Sequence, residues 1–533
     1  MTPSLDSMLD AAGAVGTDGA EVLCDRADRW LPQVRSALQA VYPDAEAVLA
    51  DCLRVVGSGW ADRSAAMRGL DHRREAAPEW FLSEKMVGYV AYVDRFAGTL
   101  AGIGEHIDHL EDLGVTYLHL MPLLHAREQP NDGGYAVVDY DAVDPSLGTM
   151  DDLEDLAAEV HRRGISLCVD LVLNHTAAEH TWARKARAGD HRHLALYRTY
   201  PDRTQPDRWE QHLPEVFPDT APGNFTYDSH LGRWVWTTFN PWQWDLDWSN
   251  PEVFTEMLGV MLRLANRGVG VLRLDAIPFL WKRQGTGCQN QPEVHHLLQA
   301  LRGLVAIAAP ALILKGEAIV APGDLVPYQG VGRRLRSECD LLYHNQLMVQ
   351  AWSGLAAQDG RLATIALDQM APTPPHASWV TYVRCHDDIG WAIDDGGAAE
   401  RRWDGAGHRR FLSAFYAGEL EYSHAEGAHF QEDFVSGDRR TSGTCAALTG
   451  ITRANPHHHD NDRVLAFRRD HPRTGRFLGL ANFSPQPQTV DAAAVGWHDL
   501  HDPCDALAPD GGVRWQDGRL LVPGLSMCWV TET

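Results

Sequence analysis

The chain has no uninterrupted apolar run of about 18 residues, the length a membrane-crossing helix needs. Its first residues, Met1-Thr-Pro-Ser-Leu-Asp, carry no basic stretch followed by an apolar one. Neither a membrane span nor a secretory leader is expected. Disulfide signals are also lacking: nine cysteines are scattered without Cys-x-x-Cys spacing, and an odd number in 533 residues does not read as a bridged framework. Basic charge is short. Lys and Arg total 47 against 72 Asp and Glu, a net charge of −25. That balance argues against nucleic acid and anionic membranes as partners and suits a neutral ligand. A cytoplasmic protein, monomer or homodimer, is the expectation, with no cofactor and no metal.

What is present is an ordinary globular composition, 44% apolar and 22% charged, in a chain too long for one typical core. Residues 1–86 read as a helical N-terminal domain, with apolar residues at three- and four-residue spacing in 26–38 and 45–56. From Val87 the texture becomes strand, amphipathic segment, strand. Short β-rich runs stand at 87–92, 115–121, 165–172, 269–275, 311–317, 339–343 and 379–385. The helical stretch from Asp151 ends at Gly164, as a helix C′ glycine would. Such alternation predicts an α/β fold, a parallel sheet covered by helices, of the (β/α)8 barrel type. The barrel is expected over 87–461, interrupted by Trp-, Pro- and Gly-rich insertions at 175–249 and 389–440. Residues 462–533 read as an antiparallel C-terminal β-sandwich domain. Of 18 tryptophans, Trp234, Trp236, Trp242, Trp244 and Trp248 cluster in the first insertion, either as core or as flat platforms for sugar rings.

Three acids sit where apolar runs end: Asp275 in Gly-Val-Leu-Arg-Leu-Asp-Ala, Glu317 in Leu-Ile-Leu-Lys-Gly-Glu-Ala and Asp387 in Val-Thr-Tyr-Val-Arg-Cys-His-Asp-Asp. A carboxylate at the end of a buried strand costs desolvation and adds nothing to packing. Barrel enzymes draw catalytic groups from the C-terminal ends of several strands. Two such carboxylates plus a third are the equipment of a retaining glycosidase or transglycosidase. Arg273 and Asp275 are two apart and face one side of their strand, so the guanidinium is expected to keep the carboxyl pKa low. Taken alone, the pair is equally a structural ion pair at a strand end. Glu317, followed by apolar Ala318 and Ile319, is expected to hold a raised pKa and act as acid, then base; alone, it reads as a helix cap. Asp170 and His175 end the third run in the same manner.

Together these segments resemble the α-amylase superfamily. Longer matches resemble its amylosucrases and sucrose hydrolases: Asn131-Asp-Gly-Gly-Tyr-Ala-Val, Asn174-His-Thr-Ala-Ala-Glu-His-Thr-Trp-Ala, Thr237-Thr-Phe-Asn-Pro-Trp-Gln-Trp-Asp-Leu, Leu274-Asp-Ala-Ile-Pro-Phe-Leu-Trp-Lys, Gly316-Glu-Ala-Ile-Val and Tyr382-Val-Arg-Cys-His-Asp-Asp-Ile-Gly-Trp. The resemblance implies sucrose as glucosyl donor and α-glucan ends as acceptors, or water in a hydrolase. It implies Asp275 as nucleophile, Glu317 as general acid and base, and Asp387 holding the distorted glucosyl ring. His175, Arg273 and His386 are then expected on the glucosyl hydroxyls, with Asp170 also binding substrate. Tyr135 and Phe239 are expected to stack on the ring, and Gln243, Asp388 and Arg440 to line the fructosyl or acceptor side.

In that family the counterpart of Asp132 pairs with an arginine beyond an eighth strand. Here that stretch reads Asn455-Pro-His-His-His-Asp-Asn-Asp and leads straight into the β module. Seven barrel strands, an open edge and an Asp132 without arginine partner are therefore expected, and with them an impaired enzyme as the alternative to an active one.

Overall fold

A computed structural model of the chain describes residues 3–14, 18–330, 337–432 and 438–450, and then 455–531 in segments (455–456, 461, 463–471, 475–482, 484–497, 504–508 and 512–531). Seven parallel strands form one sheet in chain order. They are β1 (Gly88–Ala91), β2 (Tyr117–Leu120), β3 (Ser166–Val172), β4 (Val271–Asp275), β5 (Ile313–Gly316), β6 (Leu341–Tyr343) and β7 (Ser378–Val380). Each lies within a run read from the sequence or overlaps its start. β2 to β5 are buried at every residue, as strands covered on both faces must be, which is why they read as continuous apolar runs.

The helices have local causes. α1 (Asp18–Val41) and α2 (Ala45–Ala61) belong to the N-terminal region. α3 (Met150–Arg162) begins in a capping box of Thr149 and Asp152 and is followed by Gly164 at φ 77°. α4 (Pro251–Asn266) and α5 (Pro292–Ala308) start with proline in the first turn. α5 is buried along most of its length because α1 lies on it. A Cβ on Gly303 would stand 2.6 Å from Val34 Cγ2, so the absence of a side chain there lets the helices approach. The N-terminal helices share one hydrophobic core with the barrel, from Leu23 and Leu49 to Leu171 and Leu274. Arg74, buried, donates from Nη1 to the Ala311 carbonyl (2.7 Å) and from Nη2 to Ser166 Oγ (2.8 Å), tying this region to the N-terminal ends of β3 and β5.

The chain forms two compact units, residues 1–385 with 396–402, and residues 386–395 with 403–533. In the second, Val464–His471, Gly475–Asn482, Ser526–Thr531, Cys504–Asp505 and Asn455–Pro456 make a five-stranded sheet. Gln488–Asp491, Arg519–Val522 and Arg514–Gln516 make a three-stranded one, and Leu478, Trp497, Leu520 and Val530 belong to its core. Among the described residues β1 pairs only with β2 and β7 only with β6. The stretch that would supply an eighth strand lies largely outside them. Its described part, Asn455–Pro456, pairs antiparallel with Val464–His471. No helix among the described residues is long and apolar enough to cross a membrane.

Candidate active site

The barrel register sets the centre of the first unit. Arg273 on β4 is level with Asp170 on β3 and Lys315 on β5, so three ionisable side chains share one row. Asp275 stands one strand period further, and Glu317 follows directly on β5. Arg273 Nη1 donates to Asp170 Oδ1 at 2.6 Å and to Asp275 Oδ1 at 2.7 Å; one guanidinium nitrogen bridges two carboxylates. Glu317, half-buried, accepts the Ala276 N–H on Oε2 at 2.8 Å. The acid after β5 is thus joined to the main chain at the end of β4.

Burial, opposed by Arg273 and reinforced by the Glu317 and Asp170 charges, holds the Asp275 carboxyl well above the usual carboxylate range. This corrects the expectation of a depressed value. The guanidinium does not prevail because its nitrogen is shared with Asp170 in a dry site. Against the cost of burial, Arg273 and then His119 hold Asp170 below its ordinary value. Of the two apolar neighbours expected to enclose Glu317, Ala318 is buried and Ile319 is exposed.

A second group of side chains meets in the same unit. His175 opens a short strand, His175–Ala177, that pairs antiparallel with Gln243–Asp245. The pairing brings Gln243 Nε2 to 2.5 Å from Asp132 Oδ2 and 2.9 Å from His175 Nε2. Gln243, expected on the acceptor side, therefore stands with two groups expected around the glucosyl unit. Its Oε1 accepts from Asn240, which fixes the amide so that nitrogen faces Asp132. Burial raises the Asp132 pKa and lowers that of His175 to about 4. Phe239 packs beside His175, ring centroids 5.2 Å apart, and Tyr135 lies under the Arg273 guanidinium at 5.4 Å. Tyr135 O–H also reaches Asp170 Oδ1 at 3.4 Å.

The remaining expected residues belong to the second unit. His386 Nε2 is 3.1 Å from Asp387 Oδ1, and Arg440 Nη1 is 4.0 Å from Asp388 Oδ2. The expectation that Asp387 sits at a strand end is corrected: β7 stops at Val380, seven residues earlier. An edge strand has ladder bonds on one side only, and Thr381 and Val383 are exposed, so the ladder ends early.

The tryptophan cluster divides. Trp236, Trp244 and Trp248 are fully buried and serve packing; Trp234 and Trp242 are partly buried. Sequence reasoning gave no role to four buried polar side chains, Lys282, Asn174, His119 and Lys315. Lys282 Nζ contacts Asp245 Oδ2 at 2.6 Å, and Asn174 Nδ2 donates to the same oxygen at 3.0 Å, anchoring the residue before His175. His119 and Lys315 lie beneath the acids. The signal for Lys315 was available: it precedes Glu317 by two, the same spacing as Arg273 and Asp275.

A parallel sheet of barrel strands, with acids and their cation at adjacent strand ends, defines the class of the (β/α)-barrel enzymes, whose sites lie at that face. The profile described as "Alpha amylase, catalytic domain" matches residues 59–387, and the chain belongs to the α-amylase family. It is 32% identical over 321 residues to the trehalose synthase/amylase TreS of Mycobacterium tuberculosis, covering 59% of this chain and 52% of that protein. It is 30% identical over 274 residues to the glucosylglycerate phosphorylase of Allomeiothermus silvanus, covering 51% and 46%. The chain thus spans about half the length of these curated relatives. Among solved structures, that of the trehalulose synthase MutB is similar in fold, with a TM-score of 0.51, 17% identity, and 85% of this chain and 100% of that one covered.

Proposed function

We propose that the protein transfers an α-glucosyl unit from a disaccharide with retention of configuration. The observation that carries the reading is the Arg273 bridge between Asp170 and Asp275, with Glu317 held on the Ala276 N–H. The deprotonated form of Asp275, which Arg273 favours against the cost of burial, attacks the anomeric carbon while Glu317 gives its proton to the departing glycosidic oxygen, leaving a β-glucosyl ester on Asp275. Glu317, now a carboxylate, takes the proton of an acceptor hydroxyl. The acceptor oxygen then displaces the ester with a second inversion. Asp132, His175 and Gln243 receive the glucosyl hydroxyls, while Tyr135 and Phe239 offer it apolar faces. For Asp387, His386, Asp388 and Arg440, which belong to the second unit, the sugar-binding roles implied by the resemblance are proposed unchanged.

Within this chemistry we read sucrose as donor and an α-glucan end as acceptor, as in amylosucrases; the motifs around Asp132, His175, Gln243 and Glu317 support it. The relatives whose names include trehalose synthase favour a second reading, in which the glucosyl unit is rejoined to a sugar just released. One experiment separates the readings. Purified protein is incubated with sucrose, maltose or trehalose in turn, and fructose, glucose, new disaccharide and glucan are quantified. Glucan with fructose from sucrose supports the first reading, free glucose with fructose a hydrolase, and interconversion of maltose and trehalose the second. Absence of turnover on all three, in folded protein, would count for the alternative of an impaired homologue.

A further inference from the structure

Below the acids, a fully buried lysine begins a chain of hydrogen bonds that ends on Asp275. Lys315 Nζ lies 3.2 Å from His119 Nδ1. His119 Nε2 lies 2.7 Å from Asp170 Oδ2, whose other oxygen accepts from Arg273 Nη1 at 2.6 Å, and the same Nη1 reaches Asp275 Oδ1 at 2.7 Å. Four residues on four neighbouring strands are linked in this way, Asp170, Arg273 and Lys315 in one row and His119 one strand period below it. An ammonium has donors and no acceptor, so the ring nitrogen facing it must be the one without a proton. The other nitrogen then carries the hydrogen and donates to Asp170. The opposite tautomer would set N–H against N–H at Lys315 and a bare nitrogen against a carboxylate oxygen, two repulsive contacts in a dry interior.

The residue type fits the space. The chain has four lysines, Lys85, Lys185, Lys282 and Lys315, among its 47 basic residues, so arginine is its usual cation. At this point the ammonium sits between two rings, 5.2 Å from the Tyr117 centroid and 4.8 Å from that of Tyr343. A compact charge with rotatable donors fills such a gap, where a planar guanidinium would demand more volume.

We propose that Lys315 is a positioning residue for the nucleophile: by donating to His119 Nδ1 it locks the Nε2–H tautomer, and through Asp170 it fixes the Arg273 nitrogen that orients Asp275. The inference rests on the reading of Asp275 as nucleophile for its catalytic consequence, but not for the tautomer. Lys315→Met keeps length and removes the donor; Lys315→Gln keeps a donor and removes the charge. The His119 resonances, assigned by their loss in His119→Asn, are followed by 15N NMR in folded protein, and kcat and KM are measured on whichever disaccharide turns over. The expectation for Lys315→Met is loss of the pure Nε2–H signature, a fall in kcat of about 10- to 100-fold, and KM within about threefold of the parent. Lys315→Gln is expected to keep the signature and most of kcat. An Nδ1–H ring at His119 in the parent protein overturns the inference. So does an unchanged tautomer and kcat in Lys315→Met, or a loss of kcat in Lys315→Gln as deep as in Lys315→Met. If Lys315→Met does not fold, the parent tautomer and Lys315→Gln decide. If the parent turns over no disaccharide, the functional reading fails, and the tautomer experiment still decides the role of Lys315.

Discussion

Gln243 holds Asp132 through one oxygen only: Nε2 donates to Oδ2 at 2.5 Å, and Oδ1 is buried with no hydrogen-bond partner among the described residues. No arginine forms an ion pair with this carboxyl among those residues. Burial raises the pKa of this carboxyl, and the Gln243 amide and nearby backbone N–H groups oppose the shift without cancelling it.

Replacing Gln243 by leucine removes that donor and also the contact to His175. Stability is expected to fall by about 1–3 kcal/mol, because a half-buried carboxyl loses its hydrogen bond without regaining water. KM for the glucosyl donor should rise with it. Urea denaturation at pH 7 and initial rates check the two effects separately.

Asp275→Asn should abolish turnover, by more than about a thousandfold, without loss of stability. The folded-state pKa of Asp275 is raised, so the native state holds this proton more tightly than the unfolded chain does. Stability from that source is full below the unfolded value and declines as pH rises through the raised folded value. The asparagine has no such decline. The variant's melting temperature should therefore match or exceed the parent's at pH 7 to 8, and the difference should shrink toward pH 4. A variant markedly less stable at pH 8 would contradict the direction of the shift.

Four histidines give the opposite slope. His119, His161, His175 and His180 are kept neutral chiefly by burial, each with a pKa of about 4. Their folded values lie below the unfolded 6.5, so the unfolded chain binds more protons in between. Stability is whole above about 6.5 and is lost as pH falls toward 4, at up to about 1.4 kcal/mol per pH unit for each ring. Urea midpoints at pH 7, 6 and 5 should drop at an increasing rate.

Gly270→Ala tests the fastening of the N-terminal helices. A Cβ there would lie 2.9 Å from Arg74 Nη1, which is pinned by the Ala311 carbonyl. The guanidinium cannot step aside without leaving its bonds, so a loss of about 1–3 kcal/mol is expected. A neutral effect in denaturation would mean that Arg74 has another place to go.

β2 to β5 were legible because both faces of these strands are buried, and buried runs stand out against polar loops; β1 and β7, more exposed, were legible by their β-rich composition. Asp275 and Glu317 were legible as polar exceptions at the ends of those runs. The position of Asp387 was not, since the ladder stops at an edge before the apolar texture of Tyr382 and Val383 does. That Gln243 stands beside Asp132 and His175 was not legible, because it depends on the antiparallel pairing with Ala177, which has no local signature. For Trp236 and Trp244 the sequence left core and sugar platform open, because the strands that bury them lie in a segment rich in loop residues. Lys315 and His119 were not legible as a pair, since each is a single polar residue inside a continuous apolar run.

Ala276 follows Asp275 in the left-handed region at φ 53°, and its N–H is the one that Glu317 accepts. A left-handed alanine costs about 1–2 kcal/mol. The turn it makes swings the amide away from the strand ladder and toward the neighbouring strand's acid. The alignment of the two carboxyls is therefore carried by main-chain atoms and not by the methyl group at 276. Glycine there would ease the backbone yet loosen the hinge that sets the acid's reach. Proline alone would erase the donor outright. The working distance between the two acids is thus sheltered from most side-chain drift at that position, and the protein stores it as a twist in its backbone.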